Sequence, residues 1–429
     1  MEGNETPSPS AQEPLAFTCS QVPPWAEGVS YHAKDKVKYL GRRYECIQAH
    51  TALSVWPPDI VPALWKDTGK CKTNGGGGTG GSSGGTGGAA ANPGSGGSAG
   101  AGSMAGAGGP DGSGGTSTFG SSASGSGGSG IEYAPSFYTW GWDNTAYPFT
   151  SLVDLRNKSG LDSVTLAFVL SDGGCAPTQD IQQHASDVAA FRSSGGKLKA
   201  SFGGANGTYL ESACGSATDL AAAIKAFISN TGIDDLDFDV EQWGAMTADV
   251  NARRSKALAA VQSATGAKVS FTLAAMPRDK WGTPGGLTAA GVDVVRSAVQ
   301  AGVTVSHVNL MVMDCSAYYS DGQAMGALAI SALADAHAQM QAIAAGLSDA
   351  DAWAMLGATP MLGHNDVASD VFTQDDARTL VEFARQKKLG LLSFWAINRD
   401  QPGSGDLGLY SAVNHSTFEF HHIFETVRQ

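Results

Sequence analysis

Eight consecutive residues, Asp234-Asp235-Leu236-Asp237-Phe238-Asp239-Val240-Glu241, gather acids into a pattern that can do chemistry. Leu236, Phe238 and Val240 alternate with Asp235, Asp237, Asp239 and Glu241, the period of a β-strand with one apolar and one acidic face. Neighbouring carboxylates repel one another and resist desolvation, so the chemistry suited to such a stack is proton transfer. Acid runs more often form solvated loops or helix N-termini, but the bulky apolar alternation and the preceding Gly232-Ile233 favour a strand. A calcium loop of the Asp-x-Asp-x-Asp-Gly kind is rejected, because it needs glycine where Val240 stands. Alternate strand residues are about 6.6 Å apart. Asp239 can therefore turn toward Asp237 or Glu241 and share a proton with either, which leaves Glu241 at the tip as the natural general acid.

These acids need a scaffold, and residues 131–429 have the size of one barrel. Strand-like runs at Ser136–Trp140, Ser163–Leu170, Lys197–Phe202, Asp235–Val240, Lys268–Ala274, Val303–Met313, Ala352–Ala358 and Leu389–Trp395 alternate with helical stretches such as Ala217–Asn230, Ala248–Ala264 and Met325–Ala345. Ser216 and Asp219 form a plausible N-cap for the first of these helices. Eight strands with intervening helices define an α/β chain with a (β/α)8 TIM barrel rather than an open sheet. Chemistry in such barrels gathers at the C-terminal strand ends, and Glu241 lies where the fourth strand ends.

The rest of the chain divides in two. Residues 73–130 are almost entirely Gly, Ser, Ala and Thr with no apolar periodicity, a disordered tether of about 58 residues spanning on the order of 40 Å. Residues 18–72 carry Trp25, Tyr31, Tyr39, Tyr44, Trp56 and Trp65. Lys36–Leu40 and Arg43–Ile47, flanking Gly41, read as a hairpin of a small all-β module. Most of these rings should be core; Trp56, before Pro57-Pro58-Asp59, is expected to stay exposed and to stack on a flat apolar surface such as a sugar face.

With 27 basic and 40 acidic residues the net charge is -13, which repels nucleic acid and anionic membranes. No apolar run reaches transmembrane length. The polar, acidic start Met1–Pro14 lacks the apolar core of a secretion signal: either an export signal has been removed or the protein stays in the cell. No Cys-x-x-Cys or His-Glu-x-x-His spacing occurs, so no metal is expected, and the adjacent His421 and His422 are expected at the surface. In an oxidising compartment Cys19 could pair with Cys71, which bracket a compact segment, and Cys175 with Cys214, which each follow a strand.

Asp234-x-x-Asp237-x-Asp239-x-Glu241 resembles the signature of glycoside hydrolase family 18, the chitinases and their relatives. Ser201-Phe202-Gly203-Gly204 resembles that family's third-strand Ser-x-Gly-Gly, and Met311-Val312-Met313-Asp314 its sixth-strand segment. Leu392–Asp400 resembles the eighth strand, whose tryptophan, here Trp395, floors the sugar site. The segment 18–72 resembles chitin-binding modules of carbohydrate-binding families 5 and 12 through Trp25, Tyr31, Val37, Tyr39, Gly41, Tyr44-Glu45-Cys46, His50-Thr51, Trp56 and Pro62-Ala63-Leu64-Trp65.

Several expectations follow from the resemblance. Glu241, Asp239 and Asp237 are catalytic; Trp395, Met311, Met313, Asp314 and Tyr138 bind substrate; Trp56, helped by His50, meets the chitin surface, while Trp25 and Trp65 pack. The implied protein is a secreted, monomeric, endo-acting chitinase without cofactor, with chitin and chitooligosaccharides as its partners. The substrate's own 2-acetamido group, rather than a second carboxylate, would be the nucleophile. An endo-β-N-acetylglucosaminidase acting on N-glycans shares the acid signature, and a non-catalytic chitin-binding lectin shares the barrel, although lectins of this kind usually lack the terminal glutamate. The chain also departs from the family. Asp235 stands where glycine is common, Cys315 where an aromatic follows the sixth-strand aspartate, and Met313 where many members carry tyrosine, with Tyr318 or Tyr319 as substitutes. The absence of a long insertion between strands seven and eight implies a shallow, open groove.

Overall fold

The computed structural model describes residues 19, 22–26, 29–39, 42–47, 50–52, 58, 65–71, 130–315, 319, 322–344 and 346–429, with His50, Thr51 and Lys70 described by backbone alone. Trp56, Tyr318 and positions 73–129 of the expected tether lie outside these residues.

In the N-terminal module the expected hairpin forms. Lys36–Tyr39 pairs antiparallel with Arg42–Cys46, which pairs in turn with Trp65–Lys70. Tyr31, Val37, Tyr44, Cys46 and Trp65 are buried together, and Trp25 packs on them with its ring 5.4 Å from Tyr39. Both Trp25 and Trp65 are thus packing residues. Cys19 is bonded to Cys71, so the segment is closed at its ends.

From residue 130 onward, parallel strands close into a ring. The first barrel strand is split. Glu132–Tyr133 pairs with Leu391–Leu392 of the eighth, and Ser136–Tyr138 pairs with Ser163–Val169 of the second. The interruption falls at Ala134-Pro135, and the backbone bond from Ser136 N–H to the Phe394 carbonyl (3.1 Å) carries the ladder past it. Around the ring follow Lys197–Gly203, Asp235–Val240, Lys268–Met276, Val305–Met311 and Leu356–Thr359, each parallel to its neighbours. One boundary differs from expectation. The apolar run Ala352–Ala358 straddles two elements, because Ser348 caps a helix over Asp349–Met355 and the seventh strand begins only at Leu356. The first strand also ends earlier, and Thr139–Gly141 forms a 3-10 turn.

Helices cover the outside of the ring, and their starts are written locally. Ser151, Ser216, Thr247, Thr288, Ser348 and Thr373 each accept an N–H from the first turn. Gly160, Gly232 and Gly266 end their helices in left-handed conformation. The fourth strand is buried on both faces. Leu236, Phe238 and Val240 pack outward, Phe238 stacking at 5.2 Å on Phe202, while Asp235, Asp237 and Asp239 point to the barrel axis. That inward acidic row is what the fold must accommodate.

Candidate active site

Register places the acids among hydroxyls. Asp237 is level with Ser201 on strand three and Ser270 on strand five, and Asp239 with Gly203 and Thr272. Ser201 Oγ, Ser270 Oγ and Thr272 Oγ1 donate to the Asp237 carboxylate at 2.8, 2.7 and 2.9 Å. Both of its oxygens are therefore engaged by protein hydroxyls, which fix it in place. Asn309 continues the network by donating to Thr272 and Thr359 at 3.0 and 2.7 Å.

Asp239 sits one layer higher and differs in kind. Its Oδ1 is buried with no hydrogen-bond partner among the described residues. Burial first, then the charges of Glu241 and Asp237, push its carboxyl well above the usual range. Glu241 follows, half-buried and lining a cavity of about 780 Å³. Burial, then the like charges of Asp314 and Asp366, push Glu241 up to about 7. A carboxyl that keeps its proton near neutrality at the mouth of a cavity can act as a general acid. The bare Asp239 oxygen beneath it can accept an N–H from a bound molecule.

Trp395, Met311, Met313, Asp314 and all three catalytic candidates line this cavity. Trp395 stacks at 5.4 Å on Phe168 and carries a cis peptide bond to Ala396. Behind it the fully buried Arg399 donates to the carbonyls of Trp395, His364 and Tyr410 at 3.3, 2.8 and 3.4 Å. Asp314 has left-handed backbone (φ 52°) and accepts the Val367 N–H at 2.8 Å; burial pushes it up to about 7.

Tyr138 is not brought to the cavity. It is 2% exposed, its N–H bonds Asn398, and its ring backs Trp395 at 4.8 Å and Trp140 at 4.5 Å. The strand ends at Tyr138, two residues short of the expected Trp140, and Trp140, 56% exposed in the 3-10 turn that follows, lines the cavity instead. Tyr319 packs against the core rather than the cavity. His50 is described only by its backbone pairing with Tyr31.

Sequence reasoning also missed Asp366, after strand seven, and Tyr209, whose hydroxyl meets the Glu241 backbone. The polar run His364-Asn365-Asp366 at a strand end was a usable signal for the first; nothing local marks the second. The cavity continues down to Lys199 and Leu391 inside the barrel, deeper than the shallow groove expected. At its base Lys199 Nζ lies 3.0 Å from Glu132 and 3.3 Å from Asp235, with Lys268 and His307 adjoining. Cys175 and Cys214 are disulfide-bonded.

Among the described residues, His421, His422 and Glu425 approach one another as metal ligands would. His421, however, is fully buried rather than at the surface. Both its ring nitrogens are engaged, with the Tyr133 hydroxyl (2.9 Å) and the Ser159 carbonyl (3.1 Å), so it is not free to ligate. No described helix is long and apolar enough to cross a membrane.

Known proteins share this fold. The solved structure of active domain 2 of a chitinase from Pyrococcus furiosus superposes with a TM-score of 0.60 at 30% identity, over 69% of this chain and 94% of that one. A probable bifunctional chitinase/lysozyme of Escherichia coli (strain K12) is 34% identical over 286 residues, 62% of this chain and 31% of the relative. Endochitinase 11 of Metarhizium anisopliae is 34% identical over 279 residues, 61% of this chain and 52% of the relative. The chain thus spans about a third and about half of the lengths of these two relatives. Barrel, acid row and likeness together define a glycoside hydrolase, and the chain belongs to family 18. The relatives named above are chitinases by name, and residues 24–66 of this chain match the model of carbohydrate-binding module family 5/12.

Proposed function

We propose that this protein hydrolyses β-1,4-linked N-acetylglucosamine in chitin and chitooligosaccharides, with retention of configuration and with the substrate's acetamido group as nucleophile. The observation that carries this reading is the buried Oδ1 of Asp239, without a hydrogen-bond partner among the described residues, below a Glu241 carboxyl raised to about 7. Asp239 accepts the acetamido N–H and turns its carbonyl oxygen toward the anomeric carbon. Glu241 protonates the glycosidic oxygen, the carbon–oxygen bond breaks, and the carbonyl oxygen closes an oxazolinium ring. Water then attacks the anomeric carbon and gives its proton back to Glu241. Asp237, held by three hydroxyls, fixes the lower end of the stack. Trp395 floors the sugar at the scissile bond, with Met311, Met313 and Asp314 around it.

We further assign residues 18–72 to chitin adhesion through Trp56 and His50, 73–130 to a tether, and 131–429 to catalysis by a secreted, endo-acting monomer. The match at residues 24–66 favours chitin over N-glycans, and an intact Glu241 disfavours a lectin. Glu241→Gln tests the reading. Turnover of soluble chitooligosaccharides should fall by about 10²-fold or more while chitin adsorption persists. Near-normal turnover would refute Glu241 as the proton donor.

A further inference from the structure

Tyr209 begins the short helix Leu210–Ala213 after strand three and is 1% exposed. Its hydroxyl donates to the Gly204 carbonyl at 2.7 Å and accepts the backbone N–H groups of Glu241 at 2.9 Å and Gln242 at 3.4 Å. One buried oxygen therefore ties the loop after strand three to the residue that follows strand four. The neighbouring Gln242 side chain repeats the tie by donating to the Gly207 and Ala205 carbonyls at 3.0 and 3.4 Å. The two strands meet too closely for any side chain at Gly203, where a Cβ would lie 2.0 Å from the Asp239 carbonyl oxygen.

That loop is anchored on its other side as well. Ser171 N–H bonds the Thr208 carbonyl at 2.9 Å, and Leu170 packs where a Gly207 side chain would stand. The Cys175–Cys214 disulfide joins the loop after strand two to the end of the helix that Tyr209 starts. The braced loops also form a wall of the cavity through Leu170, Thr178, Asp180, Ala205 and Asn206.

We infer that Tyr209 is a positioning residue for the proton donor, holding the Glu241 backbone through its hydroxyl, and that the Cys175–Cys214 disulfide braces the segment that carries it. The inference rests on the reading of Glu241 as that donor. A phenylalanine at 209 leaves the Glu241 N–H and the Gly204 carbonyl without their shared partner, and the end of strand four is then free to shift outward. A displacement of about 1 Å at a reacting group can lower the rate by about 10²-fold. Moving outward also leaves the half-buried Glu241 carboxyl more fully hydrated, which lowers its pKa. The charged and titratable groups facing it are Asp239 on its own strand, Asp314 after strand six, Asp366 after strand seven and Tyr209 itself.

Rate and pH profile are measured on a soluble chitooligosaccharide, so that the disulfide of the N-terminal module plays no part. For Tyr209→Phe, kcat should fall by about 10- to 100-fold with KM within about twofold, and the alkaline limb of kcat should move to lower pH. The pair Cys175→Ser/Cys214→Ser, or dithiothreitol-treated wild type, should shift the limb in the same direction with a smaller loss of kcat. Wild-type kcat and an unmoved limb in folded Tyr209→Phe would reduce Tyr209 to packing and overturn the inference. Should that variant not fold, an unmoved limb in the disulfide variant and the reduced enzyme would overturn it equally. Full activity of Glu241→Gln, run beside them, would overturn both this inference and the proposed function. An inactive Glu241→Gln beside unaffected Tyr209 and cysteine variants would overturn this inference alone.

Discussion

Replacing Glu241 with glutamine should stabilise the barrel at pH 8 even as it removes activity, and the size of the effect can be worked from the site. The Glu241 carboxyl is raised from an ordinary 4.5 to about 7, chiefly by burial and then by Asp314 and Asp366. Its folded state therefore holds the proton more tightly than the unfolded chain does. Below pH 4.5 both states are protonated and the site contributes no penalty. Between 4.5 and about 7 the unfolded chain releases its proton first, so stability falls as pH rises; above about 7 the loss is complete. At 1.36 kcal/mol per pH unit the interval corresponds to about 3.4 kcal/mol. Because Glu241 is half-buried and cavity water reaches it, about 2–3 kcal/mol is expected. Glutamine keeps the shape and carries no charge, and it also relieves Asp239, which acts in the same direction. For a barrel of about 300 residues, unfolding entropy near 2.1 cal/mol/K per residue converts this to about 3–5 °C. Calorimetric melts of both forms at pH 4.5 and pH 8 decide the matter. Coincident transitions at low pH and a higher Tm for Glu241→Gln at pH 8 are expected; equal Tm values at both would refute a desolvated, like-charged donor.

Other outcomes follow from neighbouring parts of the molecule. Lys199→Met leaves the half-buried Glu132 and Asp235 carboxylates without their buried cation, and the loss, discounted from the figure for a fully buried pair, is about 2–3 kcal/mol, read as a lower denaturation midpoint; a loss below about 1 kcal/mol would show the layer to be well solvated. Trp56→Ala should weaken adsorption to insoluble chitin while soluble-oligomer hydrolysis stays at the wild-type rate, and equal adsorption would remove Trp56 from the binding surface.

Much of this was legible in the chain itself, and the reasons are local. The fourth strand was read to the residue, because Asp235–Val240 alternates without interruption. Ser216 was identifiable as a cap because its partner Asp219 lies in the same turn. Legibility failed where an apolar run crossed an element boundary, as at Ala352–Ala358, where composition is continuous but the backbone changes state at Leu356. It failed also where a role depends on register between distant strands. Tyr209 lies 32 residues from Glu241 and only the adjacency of strands three and four joins them. Tyr138 and Trp140 were exchanged for a related reason. Which of two nearby aromatics reaches the cavity depends on where strand one ends, and Thr139–Gly141 turns one residue after Tyr138.

Asp235, the departure from the family pattern that adds a fourth inward acid, finds its explanation at the base of the barrel. A lone carboxylate there would be desolvated and repelled by Asp237 above it. Lys199 answers from the adjoining strand, 3.3 Å from Asp235 and 3.0 Å from Glu132, and its own charge is favoured by those carboxylates despite complete burial. Glu132, at the start of the split first strand, is held down to about 2 by Lys199 and then His307, against the burial that would raise it. His307 in turn is lowered to about 4 by burial and by Lys199, so it adds no competing charge near neutrality. The layer is thus balanced within itself, two carboxylates against Lys199 and the more exposed Lys268. Asp235 is nevertheless raised, chiefly by burial and also by Glu132, so Lys199 only partly offsets the cost of the lower acid, while at the upper end no cation among the described residues answers the charges that raise Asp239 and Glu241.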